Sequence, residues 1–234
     1  MTDLPCGSAG GSAAPPQGPG PGPGAPVTPR LRGRLHQLAF AASIPAGVAL
    51  ILQARTTPAR LAAAVYATSL AGLYATSAAY HRGRWSPTVR RRLDQADHAM
   101  IYILIAGTYT PFALLTFHRP WGVVVLGVVW TVAAAGIAVV IWRHRIRLVG
   151  ITLYLTLSWL GVLGLPWLAG PLGAVKLTLL LAGGVLYTVG AVVLHRQRPN
   201  PSPAVFGYHE VWHAFTVAAG LCHYTLIWLL VRAG

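Results

Sequence analysis

Two histidines, His209 and His213, stand four residues apart at the head of an apolar run near the end of the chain, in the order His-Glu-Val-Trp-His. On an α-helix, positions i and i+4 share a face one turn apart, so the two imidazoles can grip one metal ion. His-Glu-x-x-His is a zinc pattern with a mechanism behind it. It supplies two ligands, whereas a catalytic zinc takes three and keeps a further position for water. The third ligand is not local. Soluble proteases with this pattern use either a histidine six residues after the second, with a glycine between, or a downstream glutamate. Here Thr216 and Ala219 occupy the first pair of places, and Glu210 is the only glutamate in the chain.

The remaining ligand must come from elsewhere. The acidic residues are Asp3, Asp94, Asp97 and Glu210, and the two cysteines, Cys6 and Cys222, are too few and too differently placed for a disulfide framework or a thiolate metal site. Ser77 and His81 form a second i, i+4 pair, at the end of one apolar run, and Asp97 stands at the start of the next. Neutral imidazole suits zinc, so His81 is the best third ligand. Asp97 then orients the water, and Ser77 is a hydrogen-bond donor beside it. An intramembrane protease with Asp97 as third ligand is the alternative. Each residue alone has a simpler reading. His81 beside Arg82 can be an interfacial side chain, Asp97 an anion at a helix N-terminus, and Ser77 a hydroxyl bonded back to its own helix. Two i, i+4 pairs converging at one depth favour the metal site. The other histidines weigh less. His36, His98, His144 and His195 sit at a boundary where interfacial histidine is ordinary, and His118 sits at the opposite one. His223 follows His213 by ten residues, about 15 Å along a helix, and cannot reach the same ion.

The elements that must carry these residues are membrane helices. Of 234 residues, 55% are apolar and 9% charged, against about 25% charged in a typical soluble domain. The net charge of +14 is scattered between apolar runs, as in membrane loops, and does not point to nucleic acid. Runs of a length that crosses about 30 Å of hydrocarbon fall at 35–53, 61–81, 98–117, 121–142, 148–168, 172–195 and 206–231. Only Ala169-Gly170-Pro171 separates the fifth from the sixth, where Gly and Pro interrupt a helix readily. Pro45 and Pro111 lie inside spans, a placement membrane helices tolerate. The expectation is an all-α polytopic membrane protein, a seven-helix transmembrane bundle over 35–231. Residues 1–30, dominated by Gly, Pro, Ala and Ser, are expected to be a disordered tail and lack the pattern of a signal peptide. Thirteen of the eighteen Lys and Arg residues fall on the side of the N-terminus, which the positive-inside rule makes cytoplasmic. A multi-pass protein of the cell membrane follows, with membrane lipids as its surroundings.

The run Asp97-His-Ala-Met-Ile-Tyr-Ile-Leu-Ile-Ala-Gly-Thr-Tyr-Thr-Pro-Phe112 resembles the signature of the bacterial hemolysin III family, as do Ser77-x-x-x-His81 and His209-Glu-Val-Trp-His213. The resemblance runs from Leu35 to Val231. That family is similar to the progestin and adipoQ receptors and, more widely, to alkaline ceramidases. The resemblance implies seven helices with a cytoplasmic N-terminus and Zn2+ held by His81, His209 and His213. It implies too that Asp97 holds the water and that Ser77 completes the set. It gives Glu210 no established part, and Asp97 is the preferred base. The leading expectation is a zinc-dependent membrane hydrolase acting on an amide, such as that of a ceramide-like lipid. Asp97 would pass a proton to the leaving amine and Ser77 would donate to the developing oxyanion. The rivals are a membrane receptor or regulator with a structural zinc, and a pore-forming, cytolytic membrane protein.

Overall fold

The computed structural model describes residues 28–118, 120–142 and 147–233. Residues 1–27 of the expected tail lie outside it, as does His144. Among the described residues there are seven α-helices: α1 (Arg34–Gln53), α2 (Thr57–Arg82), α3 (Pro87–Leu115), α4 (Trp121–Trp142), α5 (Arg147–Trp159), α6 (Leu165–Arg196) and α7 (Tyr208–Ala233). There is no β-strand among those residues, only an isolated bridge between Ser202 and Phe206 in the α6–α7 loop.

Local chemistry sets the helix starts. The Thr56 side chain accepts the Ala59 amide ahead of α2, and Ser86 accepts that of Val89 ahead of α3. A proline follows each cap, where its missing N–H costs nothing. Because Ser86 and Pro87 start α3, that helix begins eleven residues before the apolar run at 98–117. Asp97 is therefore well inside a helix, and the reading of it as an anion at a helix N-terminus is corrected. At the head of α7, Gly207 donates its backbone N–H to Glu210 Oε2 at 2.8 Å. This is the return arm of a capping box, in which the N3 carboxylate satisfies an orphan amide.

Six of the helices are long and apolar enough to cross a membrane: α1, α2, α3, α4, α7 and the Leu172–Arg196 part of α6. The expected fifth span is interrupted. Its 13-residue α5 leads into a 3-10 turn, Leu160–Gly164, before α6 begins, and Gly173 leaves helical geometry at φ 69, a conformation that favours glycine. Tyr109 of α3 fastens the break. Its hydroxyl accepts the Gly161 amide at 2.6 Å and lies 3.1 Å from the carbonyls of Leu157 and Ser158. Backbone groups that the break releases from the helical ladder thus find a partner, which a low-dielectric setting demands.

Packing follows the polarity of the helices. α7 touches α1, α2, α3 and α6, and its buried face includes Glu210, His213 and Thr216. More than half of the apolar window of α2 and of α3 is buried, against 17% for α4. Leu38, Ile44, Val48 and Leu52 of α1 and Val123 and Val132 of α4 are exposed, as lipid-facing side chains are. The interior is therefore walled by α2, α3 and α7, the three helices that bear the candidate residues.

Candidate metal centre

His81 enters from the last turn of α2, and His209 and His213 from the first two turns of α7. One ring nitrogen from each lies within 4.8 Å of the other two. His81 Nε2 and His209 Nε2 are 3.1 Å apart. Tetrahedral zinc holds imidazole nitrogen at about 2.0–2.1 Å, which separates neighbouring ligand nitrogens by about 3.3 Å. The three side chains are thus already near the spacing such an ion imposes. His213 is 2% exposed and its Nδ1 has no hydrogen-bond partner. A buried polar atom in that condition is costly. The donor set, three imidazoles with nitrogens turned toward one another, fits a divalent metal of borderline softness.

Asp97 stands on the neighbouring helix with Oδ2 3.7 Å from His81 Nε2. That is too long for a direct hydrogen bond and suited to a bridging water. The Ser77 hydroxyl hydrogen-bonds the Asp97 carboxylate and is buried. The structure therefore brings Ser77, His81, Asp97, His209 and His213 together from α2, α3 and α7.

His36 was expected to be an ordinary boundary residue, and the structure corrects this. It is 3% exposed, and its ring lies flat on that of His213, with centroids 3.8 Å apart and planes 12° from parallel. Its Nε2 is 2.8 Å from Thr216 Oγ1, and Thr216 in turn donates to the His213 carbonyl at 2.8 Å. With the one hydroxyl proton so used, His36 Nε2–H is the donor to Thr216. The sequence held one faint signal. His36 lies a single turn inside α1, and Thr216 lies at i+3 from His213, but only the crossing of α1 and α7 joins them.

Glu210, between the two α7 histidines in sequence, points away from them. It is 1% exposed, and Arg32 Nε donates to its Oε1 at 2.5 Å while Gly207 N–H donates to Oε2. His98 is also turned elsewhere, with Nδ1 2.8 Å from the Asp94 carbonyl. His223 lies deeper, with Nε2 3.3 Å from the Leu180 carbonyl.

A cavity of about 900 Å³ opens from this cluster. Its lining follows α3 from Asp94 to Phe112, about 27 Å of helix at 1.5 Å per residue. The histidines and Asp97 stand toward one end, and most of the remaining wall is apolar, with Ile105, Phe112 and Val128 among its side chains. It has the volume of a site for an organic ligand.

Apolar helices packed around a buried histidine cluster define a polytopic, all-α membrane protein. The chain belongs to the family described as Haemolysin-III related, whose model matches residues 25–224. It is 37% identical over 186 residues to "Hemolysin-3" of Bacillus cereus, covering 78% of this chain and 82% of that protein. It is 31% identical over 187 residues to "Hemolysin-3 homolog" of Bacillus subtilis (strain 168), covering 78% and 84%. It is also similar to "Monocyte to macrophage differentiation factor" of Homo sapiens, at 27% identity over 174 residues, 72% of this chain and 70% of that one.

Proposed function

We propose that this protein is a zinc-dependent membrane hydrolase that cleaves an amide bond of a lipid. The observation that carries this reading is the meeting of three imidazoles, within 4.8 Å of one another, with a carboxylate 3.7 Å from one of them, at one end of a long apolar cavity. His81, His209 and His213 would hold the ion. Zinc in such a site supplies Lewis acidity, polarising a carbonyl and making a water a better nucleophile near neutral pH.

The protein's own groups have distinct tasks. The apolar wall takes the hydrocarbon of the lipid and excludes water from the chain. That leaves the amide at the polar end. Asp97 Oδ2, beside the ligand cluster, accepts the proton of the attacking water and returns it to the leaving amine. Ser77 Oγ, hydrogen-bonded to Asp97, orients the carboxylate. Once Asp97 is protonated, Ser77 is released to donate to the carbonyl oxygen as negative charge develops there. The arginine distribution supports a cytoplasmic N-terminus and a cell-membrane location, with α5, the 3-10 turn and the first part of α6 together completing a seventh crossing. In that orientation the histidine cluster stands near the inner leaflet.

The test is metal content and turnover on purified, detergent-solubilised protein. Zinc at one equivalent, with fatty acid released from a broad lipid panel, supports the hydrolase. Zinc-loaded protein that releases none ends this reading and leaves a receptor or regulator with structural zinc. That second reading is favoured by the way His81 and His209 join the end of α2 to the start of α7. The printed names of the Bacillus relatives raise membrane permeabilisation, which dye leakage from liposomes measures. The mostly apolar lining of the cavity argues against an aqueous pore.

A further inference from the structure

The glutamate of the His-Glu-x-x-His run has a different task from the one its motif suggests. Both Glu210 oxygens are engaged, one by the Arg32 guanidinium and the other by the Gly207 amide, in a setting that leaves the side chain 1% exposed. Arg32 belongs to the segment 28–33 that precedes α1. This segment lies along the α6–α7 loop, with Arg30 N–H donating to the Ala204 carbonyl at 3.0 Å and Leu31 N–H to that of Val205 at 3.1 Å. Its other end touches α2. Gly33 sits at φ 74, and a Cβ there would collide with His81 Cβ and crowd the Arg82 side chain. A strap thus crosses from the start of α7, which carries His209 and His213, to the end of α2, which carries His81. Arg32 also lines the cavity.

We propose that Glu210 and Arg32 are positioning residues. Their half-buried ion pair latches the strap across the α2–α7 gap and thereby sets the separation of His81 from His209 and His213. This rests on the metal reading above for its consequence at the ligands, while the latch itself stands on the strap contacts alone. Glu210 joins two jobs in one carboxylate. As the capping-box residue of α7 it fixes the first turn that aims both α7 histidines, and as the partner of Arg32 it holds the strap against α2. Neither oxygen is left to act as a general base. Removing one partner of a buried pair leaves an unpaired charge in the interior, so the latch opens when either side chain is neutralised.

The experiment uses the full chain in detergent micelles, comparing wild type with Glu210→Gln, Arg32→Gln and the conservative Arg32→Lys. Amide hydrogen exchange across 28–34 reads the strap without reference to metal. Zinc retention against a chelator and the visible absorption of the cobalt-loaded protein read the ligand geometry. Both charge-removing variants are expected to speed exchange at Arg30 and Leu31 at least tenfold. They should weaken zinc retention by about 10- to 100-fold, the range for residues that support ligands, and shift the cobalt bands. Arg32→Lys should recover part of each. Unchanged exchange in both variants overturns the latch. Faster exchange with wild-type zinc retention and cobalt spectrum overturns its link to the site. Lost turnover in Glu210→Gln with normal exchange and metal assigns Glu210 a chemical role instead and overturns the proposal. A wild-type protein that takes up no zinc sinks the metal reading, and the exchange comparison still decides the latch. Should Glu210→Gln fail to fold, Arg32→Gln, at a partly exposed position, carries the comparison.

Discussion

The ring of His36 on α1 lies parallel to that of His213 on α7, 3.8 Å away, and is tied to it a second time through Thr216. A flat contact of this kind fixes the tilt of an imidazole, and the Thr216 bridge fixes its height along the helix. His36→Ala should weaken zinc retention by about tenfold, the lower end of what residues supporting a ligand contribute. His36→Phe keeps the stack and loses the hydrogen bond, and should fall between. Chelator competition on the three proteins measures this, and equal retention in all three would sink the idea that His36 supports the ligand.

His81 and Asp97 should separate cleanly. His81→Ala removes one of the three proposed ligands and should leave well under one equivalent of metal by elemental analysis. Asp97→Ala should keep its zinc. The reverse pattern would make Asp97 the third ligand and point to the intramembrane protease arrangement.

Asp97→Asn preserves shape and hydrogen bonding to Ser77 but cannot take up a proton. General acid–base catalysis by a positioned group contributes about 10²- to 10⁴-fold. Turnover of any lipid amide substrate should fall by that factor with metal content unchanged. A variant as active as wild type would remove Asp97 from the chemistry.

Tyr109→Phe strips the hydroxyl that serves Gly161, Leu157 and Ser158. An unsatisfied buried group costs about 1–3 kcal/mol, so thermal unfolding in detergent should begin earlier, and exchange should rise locally in 157–164. An unchanged melting curve would show that the break at α5 does not depend on α3.

At the α2–α3 crossing, a Cβ on Gly107 would strike the Ser69 side chain. Gly107→Ala should cost about 1–3 kcal/mol, the usual penalty of overpacking, and the same change in a Ser69→Gly background should cost clearly less, because the two sites share one space. Additive costs in that cycle would mean the helices part without strain.

Much of the architecture was legible because a bilayer leaves few choices. A segment that crosses hydrocarbon must satisfy its own backbone, so six runs of apolar residues correspond to α1, α2, α3, α4, α7 and the greater part of α6. The start of α3 was missed because Ser86 and Pro87 begin a helix whose first three turns are polar. Hydropathy does not register those turns, although the cap does. The turn expected at 169–171 has its counterpart at Gly173, where α6 leaves helical geometry, whereas the break at Leu160–Gly164 was missed although Gly161, Gly164 and Pro166 stand there.

The sequence by itself determined the composition that demands a membrane, the places of the apolar runs, and the two i, i+4 pairs, since helical periodicity is local. It also carried the candidate set Ser77, His81, Asp97, His209 and His213. Only the tertiary structure decided that His81 meets His209 across 128 positions of chain, that His36 lies on His213, and that Glu210 faces Arg32 rather than the histidines. The reason is geometric. Spacing along one helix follows from its pitch, whereas contacts between α1, α2 and α7 depend on how three helices rotate about their axes, and that rotation is set by the packing of all their faces at once.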